Sequence, residues 1–114
     1  LAIKVIVEHD LDKKTLIFDE VDTGIGGATA SAVGQKLAKI GRKYQTLAVT
    51  HSPQVSAKGI NHYLITKEFN NNNTESKTIE LTDNERIEEI ARMISDNKIS
   101  EEARNAAKKL LENQ

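Results

Sequence analysis

Thr15-Leu16-Ile17-Phe18-Asp19-Glu20 is an apolar run that closes on two carboxylates, and Thr46-Leu47-Ala48-Val49-Thr50-His51 is a second run that closes on a hydroxyl and an imidazole. Neither run alternates apolar with polar positions, which is the pattern of parallel strands buried on both faces. Between them, residues 26–41 read as a helix. Val33, Leu37 and Ile40 recur at i, i+4 and i+7, with Lys36, Lys39 and Arg42 on other faces and Gly41 as a stop. Strand, helix, strand in this order is a βαβ unit, so the fold class is α/β.

Working outward, residues 61–67 and 76–81 are strand-like. The polar residues 70–74 between them predict a β-hairpin with a loose loop. Thr82 and Glu85 then form a capping-box pattern ahead of Ile87, Ile90, Ala91 and Ile94, which share one helical face. Ser100 opens a second helix through Ala103, Ala106, Ala107, Leu110 and Leu111, giving two C-terminal helices. At the other end, Ile3, Val5 and Val7 alternate like a strand, yet the same run suits the end of a buried helix, and periodicity leaves both open.

Bulk composition narrows the function classes. With 16 basic against 17 acidic residues in 114, the chain lacks the electrostatic footprint of a nucleic-acid binder, so any DNA contact is expected elsewhere. Hydrophobic residues at 38% suit one small globular core rather than a disordered tail. The absence of cysteine removes disulfides and thiolate metal sites. No apolar run approaches the roughly 20 residues of a membrane span, and no signal peptide is read at the start. The first residue is Leu rather than Met, which leads us to expect a longer parent polypeptide.

The chemistry follows from topology. Both strands of a parallel βαβ unit end on one edge of the sheet, where open α/β sheets bind ligands. Asp19, Glu20 and His51 are therefore expected close together although 31 positions separate Glu20 from His51. Such a trio suits metal-assisted phosphoryl transfer. One carboxylate holds Mg²⁺ through its waters, a second orients or deprotonates an attacking water, and an imidazole hydrogen-bonds a phosphate oxygen. An apolar strand ending in Asp-Glu is also the Walker B arrangement of many ATPases.

Blander accounts compete with this. An acidic pair at a strand end is often a solvated turn, and a lone histidine after a strand is often structural. Gly24, Gly26 and Gly27 resemble a phosphate-binding turn, but no Lys-Ser or Lys-Thr follows, and a tight strand-to-helix turn explains them equally well. His9 and His62 have no partners at metal-ligand spacing and read as surface or structural residues.

The run Leu16-Ile17-Phe18-Asp19-Glu20-Val21-Asp22-Thr23-Gly24-Ile25-Gly26-Gly27-Ala28-Thr29-Ala30, followed by Thr50-His51-Ser52-Pro53-Gln54-Val55 and His62-Tyr63-Leu64-Ile65-Thr66-Lys67, resembles the C-terminal head segment of the RecN family. That family lies within the ABC-type ATPases related to structural-maintenance-of-chromosomes (SMC) proteins. The resemblance covers nearly the whole chain and implies part of a P-loop NTPase head. By it, Asp19 is the Walker B aspartate supporting Mg²⁺, Glu20 the catalytic carboxylate and His51 the switch histidine sensing the γ-phosphate. Asp22, Gly24, Gly26 and Gly27 occupy the D-loop region, which faces a partner head across the nucleotide. Related heads commonly carry Asp where Gly26 falls, whereas glycine is typical of this family. Residues 1–8 are implied to be the helix leaving the signature motif.

The sequence also departs from a complete head. It contains no Gly-x-x-x-x-Gly-Lys-Ser/Thr loop, no Ser-Gly-Gly-Glu/Gln signature and no coiled-coil segments. Most phosphate affinity resides in the first of these, so the isolated chain is expected to bind ATP and Mg²⁺ weakly and not to turn ATP over. The implied partners are the remainder of its own head, a second head in a homodimer, and DNA through the full-length protein. The implied location is the cytoplasm, on the nucleoid. Two alternatives stand beside this reading. One is a truncated, non-catalytic remnant or binding module with the same fold. The other, ranked lowest, is a Mg²⁺-dependent nuclease using Asp19, Glu20 and Asp22.

Overall fold

The computed structural model describes residues 15–20, 26–96 and 98–112. Its elements are β1 (Thr15–Asp19), α1 (Gly27–Gly41), β2 (Gln45–Val49), α2 (Pro53–Ser56), β3 (Tyr63–Asn70), β4 (Asn73–Glu80), α3 (Asp83–Ile94) and α4 (Glu101–Glu112). The expected α/β architecture is present: parallel strands joined by a crossover helix, a β-hairpin and two C-terminal helices. The ambiguous opening run, residues 1–8, lies outside the described residues.

β1 and β2 pair in parallel, with Ile17 opposite Leu47 and Asp19 opposite Val49. α1 covers one face of this pair. Its buried positions Ala30, Val33 and Leu37 form a helical stripe that packs with Phe18 and with Val55 of α2, flanked by Leu16 and Ile40. Fully burying a side chain such as Phe18 contributes roughly 1.5–3 kcal/mol. α1 stops at Gly41, where the N–H groups of Lys43 and Tyr44 both turn back to the Ile40 carbonyl at 3.0 Å.

The opposite face corrects the expectation of strands buried on both sides. Ile17 is 69% exposed, Leu47 47% and Val49 43%. One helix can shield only one side of a pleated pair, because successive side chains point to opposite faces. Among the described residues, no element packs over the other side.

The hairpin is also tighter than the sequence suggests. The strands run further into the polar segment, and only Asn71 and Asn72 form the turn, both left-handed with φ of 39° and 72°. Asparagine tolerates that conformation, and two left-handed residues match the twist of a two-residue hairpin. The asparagines are therefore turn residues rather than a loose loop.

α3 begins with the expected capping box. Thr82 Oγ1 accepts from the Glu85 N–H at 3.3 Å, and Glu85 Oε1 accepts from the Thr82 N–H at 3.0 Å. The bond from the Thr82 backbone, with that to its side chain, holds the Glu85 carboxyl below its usual range. Ser100 caps α4 by accepting from the Ala103 N–H at 3.1 Å. The two helices close over a second core of Ile90, Ala91, Ala103 and Ala107, joined by Ala57. Alanines here let the two helix backbones approach closely.

α2 links the two cores. Val55 belongs to the first and Ala57, two residues on, to the second. Gly34 makes the α1–α2 crossing possible: a Cβ there would lie 3.2 Å from the Gln54 carbonyl oxygen and 3.3 Å from Val55 Cα.

Candidate active site

The parallel register carries both strands to a common end. Beyond the Asp19–Val49 pair, the Glu20 N–H still donates to the Val49 carbonyl at 3.0 Å. Asp19 and Glu20 thus leave β1 beside the point where Thr50 and His51 leave β2. All three of Asp19, Glu20 and His51 are exposed at this edge. The parallel register brings the ends of the two strands to one edge of the sheet.

Glu20 has a left-handed backbone, with φ of 51°. A residue with a long side chain in that region costs of order 1–3 kcal/mol and persists where the surroundings impose it. The conformation turns the chain sharply at the end of β1. Asp22 and Gly24, the first of the D-loop candidates, lie outside the described residues. Gly26 caps α1 with an extended backbone, and its carbonyl accepts from the Ala30 N–H at 2.9 Å. Its φ of −77° is open to any residue, so no left-handed turn explains this glycine. At Gly27 a Cβ would lie 3.3 Å from Gln54 Nε2, the end of a flexible side chain, so this contact does not by itself require glycine.

His51 sits on a short segment held by hydroxyls on either side. Thr50 Oγ1 accepts from the Ser52 N–H at 2.9 Å, and Ser52 Oγ accepts from the Val55 N–H at 3.3 Å. The Ser52 hydroxyl also donates to Gln54 Oε1 at 3.0 Å. Pro53 fills the first helical position of α2, where its missing N–H has no cost. Ser52 is buried, so this cap is an internal part of the fold. No role for Ser52 or Gln54 follows from the strand and helix pattern of the sequence. The Ser-Pro pair directly after a strand is the signal that marks them, since it specifies a capped helix start.

Among the described residues, no group of three or more His, Cys, Asp or Glu side chains is placed to hold a metal ion. The donor chemistry still fits Mg²⁺ in one specific manner. That ion keeps several waters and is bound through one or two carboxylates plus substrate phosphates, and the exposed Asp19 beside Glu20 is a donor of that kind.

No family model matches the chain. The chain is 54% identical over 98 residues to the DNA repair protein RecN of Xylella fastidiosa strain 9a5c, covering 86% of this chain and 18% of that protein. It is 42% identical over 111 residues to the DNA repair protein RecN of Vibrio cholerae, covering 97% of this chain and 20% of that protein. This chain belongs to the RecN family.

It spans about a fifth of the length of those RecN relatives. A solved structure described as concerning ATP-driven dimerization and DNA-stimulated activation of SMC ATPases aligns with a TM-score of 0.57. That alignment covers 74% of this chain and 50% of the other at 14% identity. At that identity the likeness speaks for the fold alone, and it agrees with the α/β architecture of this RecN segment. No helix of the described residues is long and apolar enough to cross a membrane.

Proposed function

We propose that this RecN-family segment carries the hydrolytic edge of an ATP-hydrolysing head that works in DNA double-strand-break repair and recombination. The observation that supports it most is the parallel β1–β2 register, which ends Asp19-Glu20 and Thr50-His51 at one sheet edge with Glu20 in a left-handed backbone. The complete protein is taken to act in the cytoplasm, on the nucleoid, as a homodimer whose heads close on ATP and contact DNA outside this segment.

Asp19 would support Mg²⁺, which supplies charge neutralisation on the phosphates when bound. Glu20 would accept a proton from the attacking water, or orient it, so that its oxygen is directed at the γ-phosphorus. His51 would donate to a γ-phosphate oxygen as charge develops there. Asp22, Gly24, Gly26 and Gly27 would face the nucleotide held with the partner head. A phosphate-cradling loop from the rest of the head would supply most of the affinity, so this segment by itself should bind Mg-ATP weakly.

The test is Glu20→Gln in the complete protein. The amide preserves shape but cannot take the proton, so turnover should fall about 10²-fold or more while nucleotide binding and head association persist. Unchanged turnover would remove Glu20 from this role.

A further inference from the structure

Arg86, on the first turn of α3, is buried although it is charged. Its Nη2 faces the carbonyl oxygens of Ser56 at 2.9 Å, Ala57 at 3.4 Å and Gly59, and its Nη1 reaches that of Ile60 at 3.5 Å. These carbonyls lie at the end of α2 and in the turn that follows, where the Ser56 carbonyl also accepts from the Gly59 N–H at 3.3 Å. A guanidinium can serve several of them at once because it carries five donors in a planar fork.

Two further observations make this more than a local cap. α2 is a single turn, so whatever holds its C-terminal end also holds its N-terminal end, where Ser52 directly follows His51. Val55 and Ala57 lie in different cores, so α2 has a sheet-side and a helix-side anchor. Gly59 packs into the same turn, where a Cβ would meet the Asn61 carbonyl at 3.2 Å and Arg86 Nη2 at 3.9 Å. Burying a charge is costly, and an apolar side chain fills such a space at less cost, so a buried arginine here points to placement rather than to stability alone.

We propose that Arg86 is a positioning residue for His51: by closing the α2 turn it ties the C-terminal helix pair to the hydrolytic edge of the sheet. This rests on the reading of His51 given above. The prediction is tested in the complete protein by a double-mutant cycle on ATP turnover with Arg86→Met and His51→Ala. Arg86→Met should lower kcat about tenfold with KM nearly unchanged, since a small misplacement affects the reacting geometry more than binding. In the His51→Ala background, the same Arg86→Met change should lower kcat less than about twofold, because the group it positions is gone.

An equal loss in both backgrounds overturns the proposal and makes Arg86 a structural residue only. If His51→Ala alone leaves kcat unchanged, the role of His51 fails, and the positioning role falls with it. Where Arg86→Met does not fold, Arg86→Lys serves in the same cycle. Its three donors reach fewer carbonyls, and a loss of a few-fold should again vanish without His51.

Discussion

At the scale of single residues, the backbone of Glu20 and the missing side chain of Gly34 are matters of geometry that the amino-acid types only suggest. Nothing in the sequence around Glu20 reveals its backbone conformation, yet its φ of 51° sets the departure from β1. Gly34 sits mid-helix, where glycine costs about 1 kcal/mol relative to alanine. A Cβ there would come within 3.0 Å of Lys58 Cγ and 3.2 Å of the Gln54 carbonyl oxygen. Overpacking costs about 1–3 kcal/mol and outweighs the propensity gain, because the α2 backbone has little room to retreat. Gly34→Ala should therefore lower the stability of the chain by up to about 2 kcal/mol, read from urea denaturation. A stabilised variant would show that α2 can shift.

His62, expected to be surface or structural, is half-buried with Nδ1 unpartnered. Its pKa lies below the ordinary value of 6.5, first from desolvation and then from the nearby Arg86, with Glu89 opposing. The unfolded chain thus takes up this proton before the folded one does. The stability it contributes is whole above pH 6.5 and declines as pH falls from there toward the folded value. His62→Gln should flatten that slope, measured as urea midpoints on either side of pH 6.5.

At the scale of elements, the sequence was most informative where side chains act on their own backbone. The Thr82–Glu85 box and the Ser100 cap were legible because all three bonds join residues three positions apart and need no distant partner. The hairpin was legible as a pair of strands but not in its turn. Polar residues at its tip suit a loop or an exposed strand equally, and cross-strand pairing through Asn70 and Asn73 decided between them. Asn72, at φ of 72°, is the position where glycine relieves the remaining strain. Asn72→Gly should raise the melting temperature slightly, by a few tenths of a kcal/mol in stability, since asparagine already tolerates this region. A lower melting temperature would mean that the Asn72 side chain makes a bond worth more than that relief. α2 escaped the sequence reading because a single turn has too few residues for a periodicity, and only Ser52-Pro53 announces it.

At the scale of the whole molecule, the face of β1 and β2 that no described element covers has a consequence for the chain in solution. Ile17 and Leu47 are direct neighbours across the strands, and with Val49 they form an exposed apolar patch. The isolated chain should associate with rising concentration in sedimentation velocity, and Ile17→Thr with Leu47→Lys should shift it toward monomer. A chain that is monomeric at every concentration and melts sharply would show that the α1 side suffices as a core. The α/β class, the order of the longer elements and the shared edge at which β1 and β2 end were accessible from sequence. Hydrophobic period and strand direction are local properties, and a parallel crossover leaves little choice of where strand ends meet. Which strand face is covered, how α2 bridges two cores and why Arg86 is buried against α2 depend on contacts between residues some 30 positions apart. Nothing in the neighbouring sequence of either partner encodes such a contact. It exists only once packing has brought the two helices together.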